Sequence, residues 1–302
     1  MKLTFLGTSG ITPTKDKGLS SVALSFNGKV FLFDCPEGTQ RQMMKAKVSY
    51  MKVKYIFISH FHADHFLGLP GLIATMAIHG RTDDLIIFGP KGIQKKVNEL
   101  IKISNFELNF KVKGKELKQG IILKEEKFSI KAFKLKHSIP AYGFTLKEKD
   151  KTGEFKRKKA EKLGIPVGPF YAKLAAGKKI KFKGKTFTPE MVMDYSKARK
   201  GRKISIVFDS IALNSITKFI SESNILIHES AFLDEFKERA KETFHSTAKQ
   251  VGKLALKAKV KELYLIHFSP RTKDVKLFEK EAKKEFTNSK AAIDLMTVEV
   301  TK

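Results

Sequence analysis

The chain has 302 residues, 42% hydrophobic and 10% aromatic, which is enough apolar surface for a buried core and excludes a disordered polyelectrolyte. Its 59 Lys and Arg against 31 Asp and Glu give a formal charge of +28 and a pI near 9.9, a field that attracts polyanions. A single cysteine, Cys35, excludes an internal disulfide and reads as a small core residue. With no apolar run of transmembrane length and a first segment, 1–7, that reads as strand and turn, the expectation is a cytoplasmic protein.

In chain order, residues 22–26 and 29–33 read as a hairpin, because Asn27-Gly28 between them tolerates the positive φ of a tight turn. A strand at 54–58 is followed at once by Ser59-His60-Phe61-His62-Ala63-Asp64-His65. A helix is expected over 67–78, a short buried strand over 85–88, and a helix over 92–103 closed by Ser104 and Asn105; sheet residues then continue to His137. The second half repeats the order: a strand before Asp209, a helix near 213–222, a strand over 225–227, a helix over 247–257 and a strand over 263–266. Two halves of strands with outer helices predict an α/β protein built as a four-layer αββα sandwich, one domain over 1–302. One segment, 147–202, interrupts the order, with about one residue in three Lys or Arg.

The run at 59–65 carries the chemistry. Imidazole with carboxylate suits Zn²⁺, and a strand that stops abruptly fans alternate side chains into one pocket, so that His60 and His62 face one ion and Asp64 and His65 a second. A metal pair needs further ligands from distant strands. His137, Asp209 and His267 each stand at or just beyond the end of an apolar, β-branched run. With His245 these positions use six of the eight histidines, leaving His79 as a surface residue and His228 as a buried, hydrogen-bonded neighbour.

The ordered set of His60-Phe61-His62-Ala63-Asp64-His65, His137, Phe208-Asp209-Ser210, His228-Glu229-Ser230-Ala231-Phe232, His245-Ser246-Thr247 and His267-Phe268-Ser269-Pro270-Arg271 resembles the tRNase Z family of metallo-β-lactamase-fold hydrolases. The opening segments Phe5-Leu6-Gly7-Thr8-Ser9-Gly10 and Phe33-Asp34-Cys35-Pro36-Glu37-Gly38 are similar too, with Pro36 where the family usually has Gly. The resemblance covers nearly the whole chain. It implies an endoribonuclease that removes 3′ trailers from precursor tRNA by two-metal hydroxide attack, leaving a tRNA 3′-hydroxyl and a trailer 5′-phosphate, with two Zn²⁺ per chain, Mn²⁺ as a substitute, no membrane partner, and a homodimer.

The same resemblance assigns His60, His62 and His137 to one ion and Asp64, His65 and His267 to the other, with Asp209 bridging. It makes Asp64 a proton acceptor as well as a ligand, and His245 the proton donor to the leaving oxygen, oriented by Glu229. The basic segment 147–202 corresponds to a protruding arm that holds the tRNA body, Gly168-Pro169 matching the motif found there; contacts to backbone phosphate position a duplex without reading its sequence. Phe155, Phe170, Tyr171, Phe182 and Phe187 read as the arm's own small core. Arg271 is a candidate to steady a phosphate. One loop departs from the family: Pro13 and Lys15 match, but Lys17 and Gly18 stand where Arg and Asn are common, and Lys does not reproduce the forked contact of Arg. The same metal site would also serve a small-molecule hydrolase, but a small substrate needs no extended cationic surface. A non-catalytic RNA-binding protein would be expected to have lost ligands.

Overall fold

The computed structural model describes residues 1–104 and 107–301. They divide into two compact units, one of Met1–Lys147 with Lys203–Thr301 and one of Glu148–Arg202.

The first unit contains two seven-stranded sheets. One has the order Thr297–Glu299, Lys2–Gly7, Ser21–Phe26, Lys29–Phe33, Val53–Phe57, Leu85–Gly89, Val112–Glu116. The other has the order Ser289–Ala291, Glu262–Ile266, Ile225–Glu229, Lys203–Val207, Ala141–Glu148, Phe128–Leu135, Gly120–Lys124. Alternation along each strand decides the layers. In Val53–Phe57, Tyr55 and Phe57 enter a core between the sheets with Phe31, Phe33, Phe128, Phe144, Phe208 and Tyr264, while Ile56 faces a second core with helices Leu69–Ile78 and Ile93–Ser104, and an irregularity in the pairing after Val53 turns that residue to the second core as well. On the far side of the second sheet, Val207, Leu226, Leu263 and Leu265 pack on Val251, Leu254 and Ala255 of helix Ala248–Lys257 and on Phe278 of helix Lys276–Lys283. Helix, sheet, sheet, helix is the four-layer sandwich.

The hairpin turns at Asn27 (φ 56°) and Gly28 (φ 74°). The helix expected over 67–78 is Leu69–Ile78; a separate short helix, Ala63–Phe66, precedes it, and Gly68 between them lies so close to the Pro36 carbonyl that a Cβ there would sit 1.8 Å from its oxygen. The helix expected near 213–222 shrinks to Thr217–Ile220 behind a 3₁₀ turn at Asn214–Ile216. Asn105, expected to close Ile93–Ser104, lies outside the described residues. Cys35 is fully buried, and burial pushes its thiol up. No helix among the described residues is long and apolar enough to cross a membrane.

The second unit carries two short strand pairs, Glu154–Phe155 with Met193–Asp194 and Ile180–Phe182 with Lys185–Phe187, and helices Arg157–Lys162 and Pro169–Ala175. Phe187 joins Ile165, Leu174, Ile180 and Val192 in a small core, with Phe155, Phe170, Tyr171 and Phe182 packed around it. Its two ends are tied together by Glu148, whose carboxylate accepts from Arg202 Nε at 2.9 Å and from an Arg199 guanidinium nitrogen at 3.2 Å. Burial would raise the Glu148 pKa, but these guanidinium contacts outweigh it and hold the carboxyl at about 2.

Candidate metal centre

Four strands of the first sheet, from Lys29–Phe33 to Val112–Glu116, run parallel, and so do Lys203–Val207, Ile225–Glu229, Glu262–Ile266 and Ser289–Ala291 of the second. Parallel strands deliver the residues that follow them to one edge. Asp34 and Ser59–His65 leave the first sheet in this way, and Asp209 and His267 leave the second. Asp34 (φ 55°) and His267 (φ 62°) turn out of their strands in left-handed backbone conformations, which non-glycine residues adopt only when the surroundings hold them there.

The donor atoms fall into two sets that share one carboxylate. Asp209 Oδ1 lies 3.1 Å from His267 Nε2 and 3.4 Å from His65 Nε2, and Asp64 Oδ2 lies 3.6 and 3.4 Å from the same two nitrogens. Asp209 Oδ2 lies 3.7 Å from His60 Nε2 and 3.9 Å from His137 Nε2, and both of those nitrogens are 3.1 Å from His62 Nδ1. Seven sequence-predicted residues therefore converge as His60, His62, His137 on one side of Asp209 and Asp64, His65, His267 on the other.

The residues fit a pair of zinc-type ions. His65 Nε2, His267 Nε2 and Asp209 Oδ1 are buried and make no hydrogen bond among the described residues, an arrangement that strongly disfavours a protein without cations in that place. The tautomers fit as well. Ser59 Oγ donates to Asp34 Oδ2 at 2.7 Å and so accepts from His60 Nδ1 at 2.9 Å; His65 Nδ1 donates to Asp34 Oδ2 at 2.7 Å; His137 Nδ1 donates to the Phe244 carbonyl at 3.2 Å. In these three histidines the outer nitrogen is satisfied, leaving Nε2 as a lone-pair donor pointing inward, whereas His62 faces the cluster through Nδ1 and His267 Nδ1 has no hydrogen-bond partner among the described residues. Burial lowers the pKa of His60, His62 and His137, favouring the neutral form that binds metal. Burial acts the same way on His65, but Asp209 and Asp34 outweigh it and raise its pKa, so a cation binding there displaces a proton. Burial opposes ionisation of Asp64 and Asp209, yet the neighbouring imidazoles hold both carboxyls well below the usual range.

Beside this cluster, His245 is 7% exposed, its ring 5.4 Å from those of His137 and His267 and its Nδ1 3.3 Å from Glu229 Oε1. Burial lowers the His245 pKa, but the Glu229 charge and hydrogen bond outweigh it and lift it to about 9. Glu229, wholly buried at a strand end, also accepts from the backbone of Ser210, Ala231 and Ser246, so one carboxylate ties the Asp209 loop to the His245 loop. Thr247 caps helix Ala248–Lys257 with Gln250 in a reciprocal box, which fixes where His245 enters. Arg271 is exposed and borders a cavity of about 200 Å³ that His245 also lines. Gly168 and Pro169 belong to the second unit, where Gly168 (φ 138°) opens helix Pro169–Ala175. His79 is exposed, and His228 is buried with Nδ1 bonded to the Glu229 carbonyl at 2.7 Å.

Residue patterns alone missed the supports: Asp34, Ser59, the Phe244 carbonyl, and the Ile11 N–H, which donates to Asp64 Oδ2 at 2.9 Å. Asp34 had a signal, since it follows its apolar strand much as Asp209 follows its own. The two backbone groups had none.

A family model described as "Anti-Pycsar protein Apyc1" matches residues 1–152. A Ribonuclease Z of Methanosarcina acetivorans is 43% identical over 302 residues, covering 99% of this chain and 98% of that protein. The crystal structure of the short form of human tRNase Z superposes with a TM-score of 0.73 at 28% identity, covering 100% of both chains. The Bacillus subtilis metallo-β-lactamase fold protein YhfI superposes at 0.71 with 17% identity over 98% of each chain, a likeness of fold. The identity and its full-length reach, with a ligand cluster that supports metal-dependent hydrolysis, establish that the chain belongs to the ribonuclease Z family of metallo-β-lactamase-fold nucleases.

Proposed function

We propose that the protein is the endoribonuclease that removes 3′ trailers from precursor tRNA, cutting so that the tRNA keeps a 3′-hydroxyl and the trailer a 5′-phosphate. The observation that carries this reading is the pair of ligand sets divided between the two oxygens of Asp209 in a chain of net charge +28. Bound there, two zinc ions supply Lewis-acid charge for the phosphoryl oxygens and lower the pKa of water to provide the nucleophile.

The rest is work for the chain's own residues. Asp209 sets the spacing of the two sites, and Asp64, oriented by the Ile11 N–H, is placed to accept the proton of the attacking water. His245 also comes within ligand distance of Asp209 and His267, but Glu229 engages its Nδ1 and favours its protonated form, and in this reading it gives that proton to the departing ribose oxygen. The basic unit Glu148–Arg202, with Gly168-Pro169 at a helix start, is assigned to the tRNA body, where lysines engage backbone phosphate. A homodimer in the cytoplasm is the assembly and place that accompany this reading.

The test is to incubate the protein with Zn²⁺ or Mn²⁺ and a 3′-extended precursor tRNA and to map both product ends. Cleavage on the 3′ side of the acceptor stem with a tRNA 3′-hydroxyl is the expected result. A protein that hydrolyses a thioester or lactone and leaves this RNA intact ends the proposal.

A further inference from the structure

We propose that the cavity beside His245 seats the nucleoside whose 3′ oxygen leaves, the last one kept by the tRNA; this rests on the nuclease reading above. The cavity, about 200 Å³, is lined by Ile11, Phe232, Arg239, His245 and Arg271, among others. It is smaller than the roughly 300–1,000 Å³ of a whole-ligand pocket, as suits one piece of a larger substrate.

Ile11 is the observation that demands an explanation. A β-branched residue at φ 66° is strained, and 58% of this one is exposed, so neither backbone preference nor burial accounts for it. Its N–H serves Asp64, but glycine would supply the same N–H without strain. What only isoleucine provides here is an apolar surface held between a metal ligand and the cavity. The loop keeps it there: Gly10 N–H donates to the Phe268 carbonyl at 3.0 Å, and Ser9 Oγ–H to the Thr12 carbonyl at 2.8 Å.

Phe232, its ring 6.2 Å from that of His245, supplies an aromatic surface to the same cavity. An aliphatic and an aromatic lining accept the flat face of any base. At the rim stand two exposed guanidinium groups. Arg239 is engaged by Glu242 at 3.3 Å in an exposed pair that a phosphate would readily replace. Arginine matches a nucleotide's 5′-phosphate with two parallel donors.

Direction follows from the chemistry. In an in-line displacement the leaving oxygen departs opposite the nucleophile, and its proton donor must touch it. The nucleoside carrying that oxygen therefore occupies what adjoins His245. A second cavity also reaches His245, but it presents Lys136, Lys237 and Lys241 and no aromatic ring, which suits backbone phosphate better than a base.

The experiment titrates zinc-loaded, full-length protein by calorimetry with adenosine 5′-monophosphate, ribose 5-phosphate and inorganic phosphate. The nucleotide should bind about tenfold tighter than ribose 5-phosphate, the increment expected from one base against apolar walls. Ile11→Gly, which keeps the N–H and suits the backbone, should erase that preference, weakening the nucleotide more than ribose 5-phosphate; Phe232→Leu should reduce it. Arg239→Ala should weaken the nucleotide and the sugar phosphate alike. Equal affinity for all three probes, or a nucleotide preference that survives Ile11→Gly, overturns the proposal. A preference found in a protein that leaves precursor tRNA uncut keeps the nucleoside site and removes the nuclease reading; cleavage without the preference does the reverse.

Discussion

At the scale of single residues, the centre depends on side chains that never reach a metal. Asp34 accepts from Ser59 N at 2.6 Å, Ser59 Oγ at 2.7 Å and His65 Nδ1 at 2.7 Å, so its removal leaves buried donors unpaired and lets the His65 ring turn. Asp34→Ala should lower zinc affinity about 10–100-fold with the other ligands intact, measured by competition with a chromogenic chelator. Unchanged affinity would assign Asp34 to packing alone. A second prediction concerns pH. Glu229 lifts the His245 pKa to about 9, so the proton donor is charged below that value and cleavage should decline as pH rises through it. Glu229→Gln removes the charge that raises the pKa, and the alkaline limb should move to lower pH. His245→Ala should slow cleavage roughly 10²–10⁴-fold and abolish the limb while zinc content stays at wild-type level. A limb that stays in place in Glu229→Gln would show that the two residues do not act together.

At the scale of elements, close approaches do the aligning. A Cβ on Gly10 would lie 2.6 Å from His267 Nδ1, and one on Gly68 meets the Pro36 carbonyl, so the loops over the metal site touch it with backbone. Such glycines show in a sequence only as turn residues; what they touch does not. In the unit Glu148–Arg202 the tie is ionic. Glu148 has its folded-state pKa depressed to about 2, so its contribution is present above the ordinary glutamate range and is lost as pH falls towards the folded value. Protection of the amides over 154–194, the intrinsic exchange rate at each pH divided by the observed one, should therefore fall between about pH 5 and pH 2 in the wild type. In Glu148→Gln that protection should already be lower at neutral pH and change less with acid. Identical profiles would mean that the small core around Phe187 holds the unit by itself.

At the scale of the whole molecule, a charge of +28 has to be separated into background and function. If the unit Glu148–Arg202 holds RNA through phosphates, replacing it with a short Gly-Ser linker should raise KM for precursor tRNA and flatten its salt dependence, because fewer counterions are released on binding. Hydrolysis of a small phosphodiester tests the other half of the argument, since bond breaking belongs to the metal centre and remote binding energy to the basic unit. Parallel losses on both substrates would make the unit part of the catalytic scaffold, and unmoved salt dependence would make it a charged insertion. Much of the architecture was open to reading in advance: alternating apolar strands and amphipathic helices have periods that chain-local chemistry imposes, and ligand types announce themselves because few side chains bind zinc. The same local chemistry placed His137, Asp209 and His267 at strand ends. It did not determine which oxygen of Asp209 faces which histidines, that Asp34 and Ser59 select the tautomers, or that Ile11 is held strained against Asp64. Apart from the Ser59–His60 neighbour bond, those are contacts between residues tens to hundreds of positions apart, and only the tertiary packing that gathers the strand ends decides them.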